Sequence, residues 1–85
     1  MKYEVEIAEI ALKQYKKIDQ PHKNKIIEKI DALSELGLKA SNIKALTGEF
    51  KGLYRVRVGN YRIIFNIIEN KITILSILHR KDVYR

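Results

Sequence analysis

The 85-residue chain predicts an α+β fold: an N-terminal strand, then an antiparallel helix pair packed on a twisted antiparallel β-sheet. Three observations lead there. Apolar residues alternate over residues 3–7 and again from residue 53, but recur at helical spacing in between. Asp19-Gln20-Pro21 interrupts the helical stretch and divides it in two. Gly59-Asn60 separates two alternating runs, the pattern of a hairpin closed by a two-residue turn.

Each element has its own warrant. Tyr3, Val5 and Ile7 alternate with Glu4 and Glu6, which gives a short first strand. From Ala8 the period changes: Ala11, Tyr15 and Ile18, with Leu12 beside them, mark one helical face, and Lys13, Lys16 and Lys17 another. Proline is well tolerated in a first helical turn, so Pro21 opens the second helix. That helix carries Ile26, Ile27, Ile30, Leu33 and Leu36, and Gly37 is its natural stop. The basic residues on the outer helix faces are interleaved with Glu28, Asp31 and Glu35, as on a solvated surface. Residues 38–52 form a connection with a short strand at Lys44–Leu46. The hairpin and a third strand over Ile72–Leu78 follow, joined through Glu69-Asn70.

The hairpin segment reads Leu53-Tyr54-Arg55-Val56-Arg57-Val58-Gly59-Asn60-Tyr61-Arg62. Side chains alternate faces along a strand, so Arg55 and Arg57 point the same way. The two-residue turn pairs Val58 with Tyr61 and Arg57 with Arg62, which brings Arg62 to the same face. The other face is apolar or aromatic throughout: Tyr54, Val56, Val58, Tyr61, Ile63, Phe65, Ile67. A two-residue loop at Glu69-Asn70 pairs Ile67 with Ile72 and Phe65 with Ile74. The same register places Leu75, Ile77 and His79 on the arginine side, making it a partly apolar concavity.

Facing arginines are costly unless something negative meets them. Two unit charges about 5 Å apart repel by roughly 3 kcal/mol at an effective dielectric near 20, and by under 1 kcal/mol in bulk water. One reading is a solvated polar face. The other is an anion site, and arginine suits phosphate because its planar fork donates two parallel hydrogen bonds. Charge distribution favours the second. Of the net +7, residues 1–50 contribute +1 and residues 51–85 contribute +6, and every arginine lies in the latter. Basic charge confined to one segment is the footprint of a polyanion binder.

Composition excludes several classes. There is no cysteine, hence no disulfide framework, thiolate metal site or cysteine nucleophile. No His/Asp/Glu cluster has metal-ligand spacing, and no phosphate-loop or dinucleotide glycine motif is present, so no cofactor is expected. The alternating start, Met1 to Glu6, is no signal peptide, and no apolar run reaches the roughly 18–20 residues of a membrane span. A soluble, cytoplasmic protein is expected, built as one domain over residues 1–85.

Residues 44–48 (Lys-Ala-Leu-Thr-Gly), the run from Leu53 to Phe65 and the ending His79-Arg80-Lys81-Asp82-Val83-Tyr84 resemble a RelE toxin of the RelE/ParE superfamily. The element order is similar across essentially the whole chain. The resemblance implies the toxin of a type II toxin–antitoxin system: a metal-independent endoribonuclease that cleaves messenger RNA in the ribosomal A site. It implies a RelB-like antitoxin partner and a monomeric free toxin. Arg55, Arg57, Arg62, Arg80 and Tyr84 match the family's active-site positions, and Lys81 lies beside them as a further RNA contact. Arg62 corresponds to the arginine at the scissile phosphate, Arg80 to the one assisting the leaving group, and Tyr84 to the tyrosine that stacks on or orients the message.

The implied reaction is attack of a ribose 2′-hydroxyl on the adjacent phosphate, expelling the 5′-oxygen and leaving a cyclic phosphate. The family pattern has lysines where this chain has Arg55 and Arg57, and a lysine holds the general-base role there. Arginine stays protonated and is a poor base, so charge stabilisation carries over and the base stays open. His79 is either an acid or base, histidine being the side chain type suited to proton transfer near neutral pH, or an ordinary strand-end histidine. Two other functions are consistent with the resemblance: a ParE-like inhibitor of DNA gyrase, and a non-catalytic module of the same fold that binds RNA or antitoxin.

Overall fold

Element boundaries fall where the hydrophobic period changes. The computed structural model describes residues 3–83. In chain order they form β1 (Glu4–Ile7), α1 (Glu9–Lys16), α2 (Gln20–Leu36), β2 (Ile43–Ala45), β3 (Tyr54–Val58), β4 (Tyr61–Ile68), β5 (Lys71–His79) and a single helical turn, α3 (Arg80–Val83). The strands make one sheet in the order β1-β5-β4-β3-β2. Three pairings are antiparallel. The fourth, β1 with β5, is parallel; the two helices carry the chain from β1 to β2 at the far edge, and β3, β4 and β5 then return it across the sheet to β1.

Both helices bury a stripe against the same sheet face. Ala11 and Ile18, with Ile26, Ile30 and Leu33 of α2, meet Val56, Val58, Ile63, Phe65, Ile72, Ile74 and Ile77. Each fully buried aliphatic or aromatic side chain there contributes about 1.5–3 kcal/mol. Leu12, Ile27 and Leu36, read as members of the helical stripes, stay exposed. Ile27 lies one position off the Ile26–Ile30–Leu33 line, and Leu36 sits at the end of the helix.

α2 ends as its sequence dictates. Gly37 adopts φ +57° and its N–H donates to the Leu33 carbonyl. The Tyr3 ring lies directly over it, so that a Cβ at residue 37 would stand 2.6 Å from ring atoms. Both the left-handed backbone and the close approach therefore require glycine at this point. The Tyr3 N–H donates to the Ser34 carbonyl at 3.0 Å, which fastens the start of β1 to the same turn.

The pairing of β4 with β5 begins as the loop length requires, Ile67 opposite Ile72 and Phe65 opposite Ile74. It then shifts: Ile64 faces Ser76, Ile63 faces Ile77, and Tyr61 faces His79. Leu75 is the extra residue of a β-bulge. A bulge inverts the parity of everything beyond it. Ile77 and His79, expected on the arginine side, therefore face the helices, and only Leu75 keeps its expected face. Ile77 is buried at 3% exposure, and the His79 ring meets Tyr61 edge-on at 5.4 Å.

Past the end of β1, whose pairing with β5 stops at Ile74, Gln14 of α1 bonds the β5 backbone, its Oε1 accepting the Ile77 N–H at 2.7 Å. An unmatched amide here would forfeit about 1–3 kcal/mol. Gln14→Met, which keeps the length of the side chain and removes the acceptor, is expected to lower unfolding free energy by that amount in urea titrations. A loss under about 0.5 kcal/mol would show that the amide finds another acceptor, since a net hydrogen bond contributes at least that much.

Candidate functional site

The sheet face turned away from the helices carries the cations. Arg57 stands directly opposite Arg62 across β3 and β4, as the Gly59-Asn60 turn requires. The β2–β3 register adds a residue that the sequence pattern did not single out: Lys44, directly opposite Arg55. Arg55, Arg57, Arg62 and Lys44, with Asn42 and Ile43, line one recess of about 380 Å³. Arg55 and Arg62 are half-buried, while Arg57 and Lys44 are exposed. Lys44 was obscured because residues 38–52 have no sustained period, so nothing in the sequence sets its register.

Arg62 is held in place by the hairpin itself. Its Nη1 donates to the carbonyls of Gly59 at 3.1 Å and Tyr61 at 3.0 Å. The Nε and Nη2 donors form the other edge of the guanidinium, the side-on fork that grips an oxyanion bidentately.

Beyond Arg55 the same face turns apolar. Leu46, Phe50, Leu53, Ile64, Leu75 and Leu78 line a groove of about 410 Å³, to which Arg55 and Ser76 also contribute. The partly apolar concavity expected here is thus present, with Leu78 and Ser76 in the places that Ile77 and His79 were expected to fill. A separate recess at the Glu69-Asn70 turn is unlike the first, because its lysine, Lys71, is paired with Glu6.

Arg80 and Lys81 open α3, both exposed. The Arg80 N–H donates to the Asn60 carbonyl at 2.7 Å, so the start of α3 is tied to the turn that joins Arg57 to Arg62. Tyr84 lies outside the described residues. His79 is across the sheet from the arginines, in a row with Tyr61 and His22, each ring 5.4 Å from the next. Its Nδ1 accepts the Lys81 N–H at 3.3 Å, a bond that serves the first turn of α3. This placement removes His79 from contact with an anion bound between Arg57 and Arg62. His22 in turn bonds the Asp19 carboxylate at 2.8 Å, which holds that carboxyl below its ordinary range.

Among the described residues, no three His, Cys, Asp or Glu side chains converge as metal ligands, and no helix is long and apolar enough to cross a membrane. The recess offers fixed positive charge and hydrogen-bond donors. That is the equipment for binding and polarising a phosphate.

Comparison with known proteins bears on the family and the fold. A family model for the ParE toxin of the type II toxin–antitoxin system parDE matches residues 5–84. Toxin RelE3 of Methanocaldococcus jannaschii is 37% identical over 59 residues, 69% of this chain and 66% of that relative, just under two thirds of its length. A chain of the toxin–antitoxin complex RelBE2 from Mycobacterium tuberculosis superposes with a TM-score of 0.83 at 25% identity, covering 94% of this chain and 100% of that one. A chain of the RelB–RelE antitoxin–toxin complex from Methanococcus jannaschii gives 0.73 at 32% identity, covering 93% and 94%.

The crowded cations carry a stability signature. Like charges directly opposite across strands destabilise by about 0.2–1 kcal/mol. Arg57→Thr is therefore expected to raise the urea midpoint at low salt, and the gain should vanish near 1 M salt, where the screening length falls to about 3 Å. A destabilised Arg57→Thr variant at low salt would show that the pair is not under repulsion.

Proposed function

The chain belongs to the RelE/ParE superfamily of type II toxin–antitoxin toxins, and from that premise we propose that it is a ribosome-dependent messenger-RNA endonuclease acting in the cytoplasm. The observation that carries this reading is the Arg57–Arg62 pair beside Arg55, on a face whose turn also anchors Arg80. The 2′-hydroxyl attacks the phosphorus, the 5′-oxygen leaves, and negative charge builds on the equatorial oxygens. Arg57 and Arg62 hold those oxygens with Arg55 beside them on the same face, and Arg80 serves the leaving group. Positioning and preorganised charge supply the acceleration, each key donor being worth roughly 3–4 kcal/mol by analogy with oxyanion holes. Lys81 and Tyr84 complete the RNA contact. Arginine stays protonated, so the base that takes the 2′-proton is a group other than these arginines.

The partner is a RelB-like antitoxin, in keeping with the complexes in which structural relatives were solved. The 85 residues act as one toxin domain. Because the matching family model is one of ParE toxins, a second reading is the one the sequence resemblance also implies, a ParE-like inhibitor of DNA gyrase that cuts no RNA. The full arginine set weighs against it, because gyrase inhibition has no phosphoryl transfer to stabilise.

Induced expression with mapping of cellular RNA ends separates the two. Messenger RNA cut within translated regions is the expected result, and accumulated DNA breaks with intact messages would replace the nuclease with the gyrase inhibitor. Arg62→Ala is expected to lower cleavage by about 10²–10³-fold, the effect of removing one such donor, and to relieve growth arrest while circular dichroism stays unchanged. Cleavage by Arg62→Ala at the wild-type rate would sink the proposed mechanism.

A further inference from the structure

The cation face extends one strand beyond the arginines, and this extension has a geometry of its own. The cations fall into two cross-strand pairs, Arg57 with Arg62 and Arg55 with Lys44. Arg55 and Arg57 are two residues apart on β3, about 6.8 Å, and Lys44 and Arg62 are on strands two spacings apart, about 9–10 Å. Two pairs so placed can each hold one anion of a run at regular spacing.

We infer that Lys44 and Arg55 form a second phosphate subsite, which holds the phosphate next to the one gripped by Arg57 and Arg62. The inference rests on the ribonuclease reading for the identity of the polyanion and adds to it a direction: the RNA backbone crosses β4, β3 and β2 toward the edge of the sheet. The ribonuclease reading is what favours phosphodiester over carboxylate, since each group has two acceptor oxygens and either can bridge cations on neighbouring strands. Lys44 suits the outer place because an ammonium on a flexible stem meets phosphate as a point charge without a fixed approach. The apolar groove beside Arg55 fits the same path, since it leaves the phosphates as the only strongly charged groups to be met there.

The probe is a 2′-O-methyl triuridylate with hydroxyl ends, which has two phosphates and no nucleophile, titrated into the full chain by NMR. Two analogues carry a neutral methylphosphonate at the first or the second linkage. With the wild-type chain each neutralisation is expected to weaken binding roughly tenfold, as for loss of a charged hydrogen bond, and to flatten the plot of log K against log salt by about 0.7. Lys44→Ala, which leaves Arg55 alone at its subsite, should lessen the sensitivity at one linkage and preserve it at the other. Arg57→Ala should do the reverse, and Lys44→Arg should behave as wild type. Thermal melts of the free variants check that they fold. Lessened sensitivity at both linkages, or at neither, in Lys44→Ala would overturn the second subsite, as would failure of the trinucleotide to bind at millimolar concentration. A hexaglutamate peptide that bound as tightly, and lost affinity equally in Lys44→Ala, would assign the track to acidic protein segments and overturn it too. The two readings fail separately. The linkage pattern without message cleavage in cells removes the nuclease and leaves the track, whereas cleavage without the pattern removes only the track.

Discussion

Side chains on a strand alternate between two faces, and the Gly59-Asn60 turn decides which residue of β4 meets which residue of β3. That register is the constraint on which the rest of the molecule depends. It puts Val56, Val58, Ile63 and Phe65 on the helix side, where they are buried. The same count puts Arg55, Arg57 and Arg62 on the opposite side. Core and site are therefore not independent choices. A slip of one residue would bury guanidinium groups and expose the apolar set, which makes every kilocalorie of core burial also a force holding the cations in place.

The bulge at Leu75 is the second decision of this kind. It reverses the parity of β5 halfway along, so the strand contributes Ile72 and Ile74 to the core before it, and Ile77 after it. The reversal sends His79 to the helix side and opens the arginine face to Ser76 and Leu78. Gln14 holds the reversed stretch by accepting the Ile77 amide past the end of β1. A residue 63 positions away in the chain thus takes part in deciding which groups line the site.

These two features differ in how far they could be read from the residues alone. The hairpin announces itself, because Gly-Asn between alternating runs admits one close register. Phe65 opposite Ile74 follows from loop length just as directly. The bulge gives no such sign. Ile74-Leu75-Ser76-Ile77 contains no glycine or proline, and an apolar run fits either face equally well. What resolves it is a tertiary hydrogen bond to α1, which no local pattern encodes. Lys44 was hidden for a related reason: its place beside Arg55 comes from pairing across a loop whose length and composition set no register. The parallel seat of β1 against β5 likewise depends on how β3, β4 and β5 return the chain across the sheet. Local chemistry was legible, and long-range pairing was not.

The way Arg62 sits on its own turn has a thermodynamic consequence. A free arginine side chain has about 2 kcal/mol of rotamer entropy, much of which is lost when it grips a ligand. Here the carbonyls of Gly59 and Tyr61 already restrict the guanidinium. The loss therefore falls on folding rather than on binding, where the stability of the hairpin absorbs it. An anion arriving at this residue meets a donor whose orientation is already chosen, so less of the encounter energy goes into ordering and more into the bond.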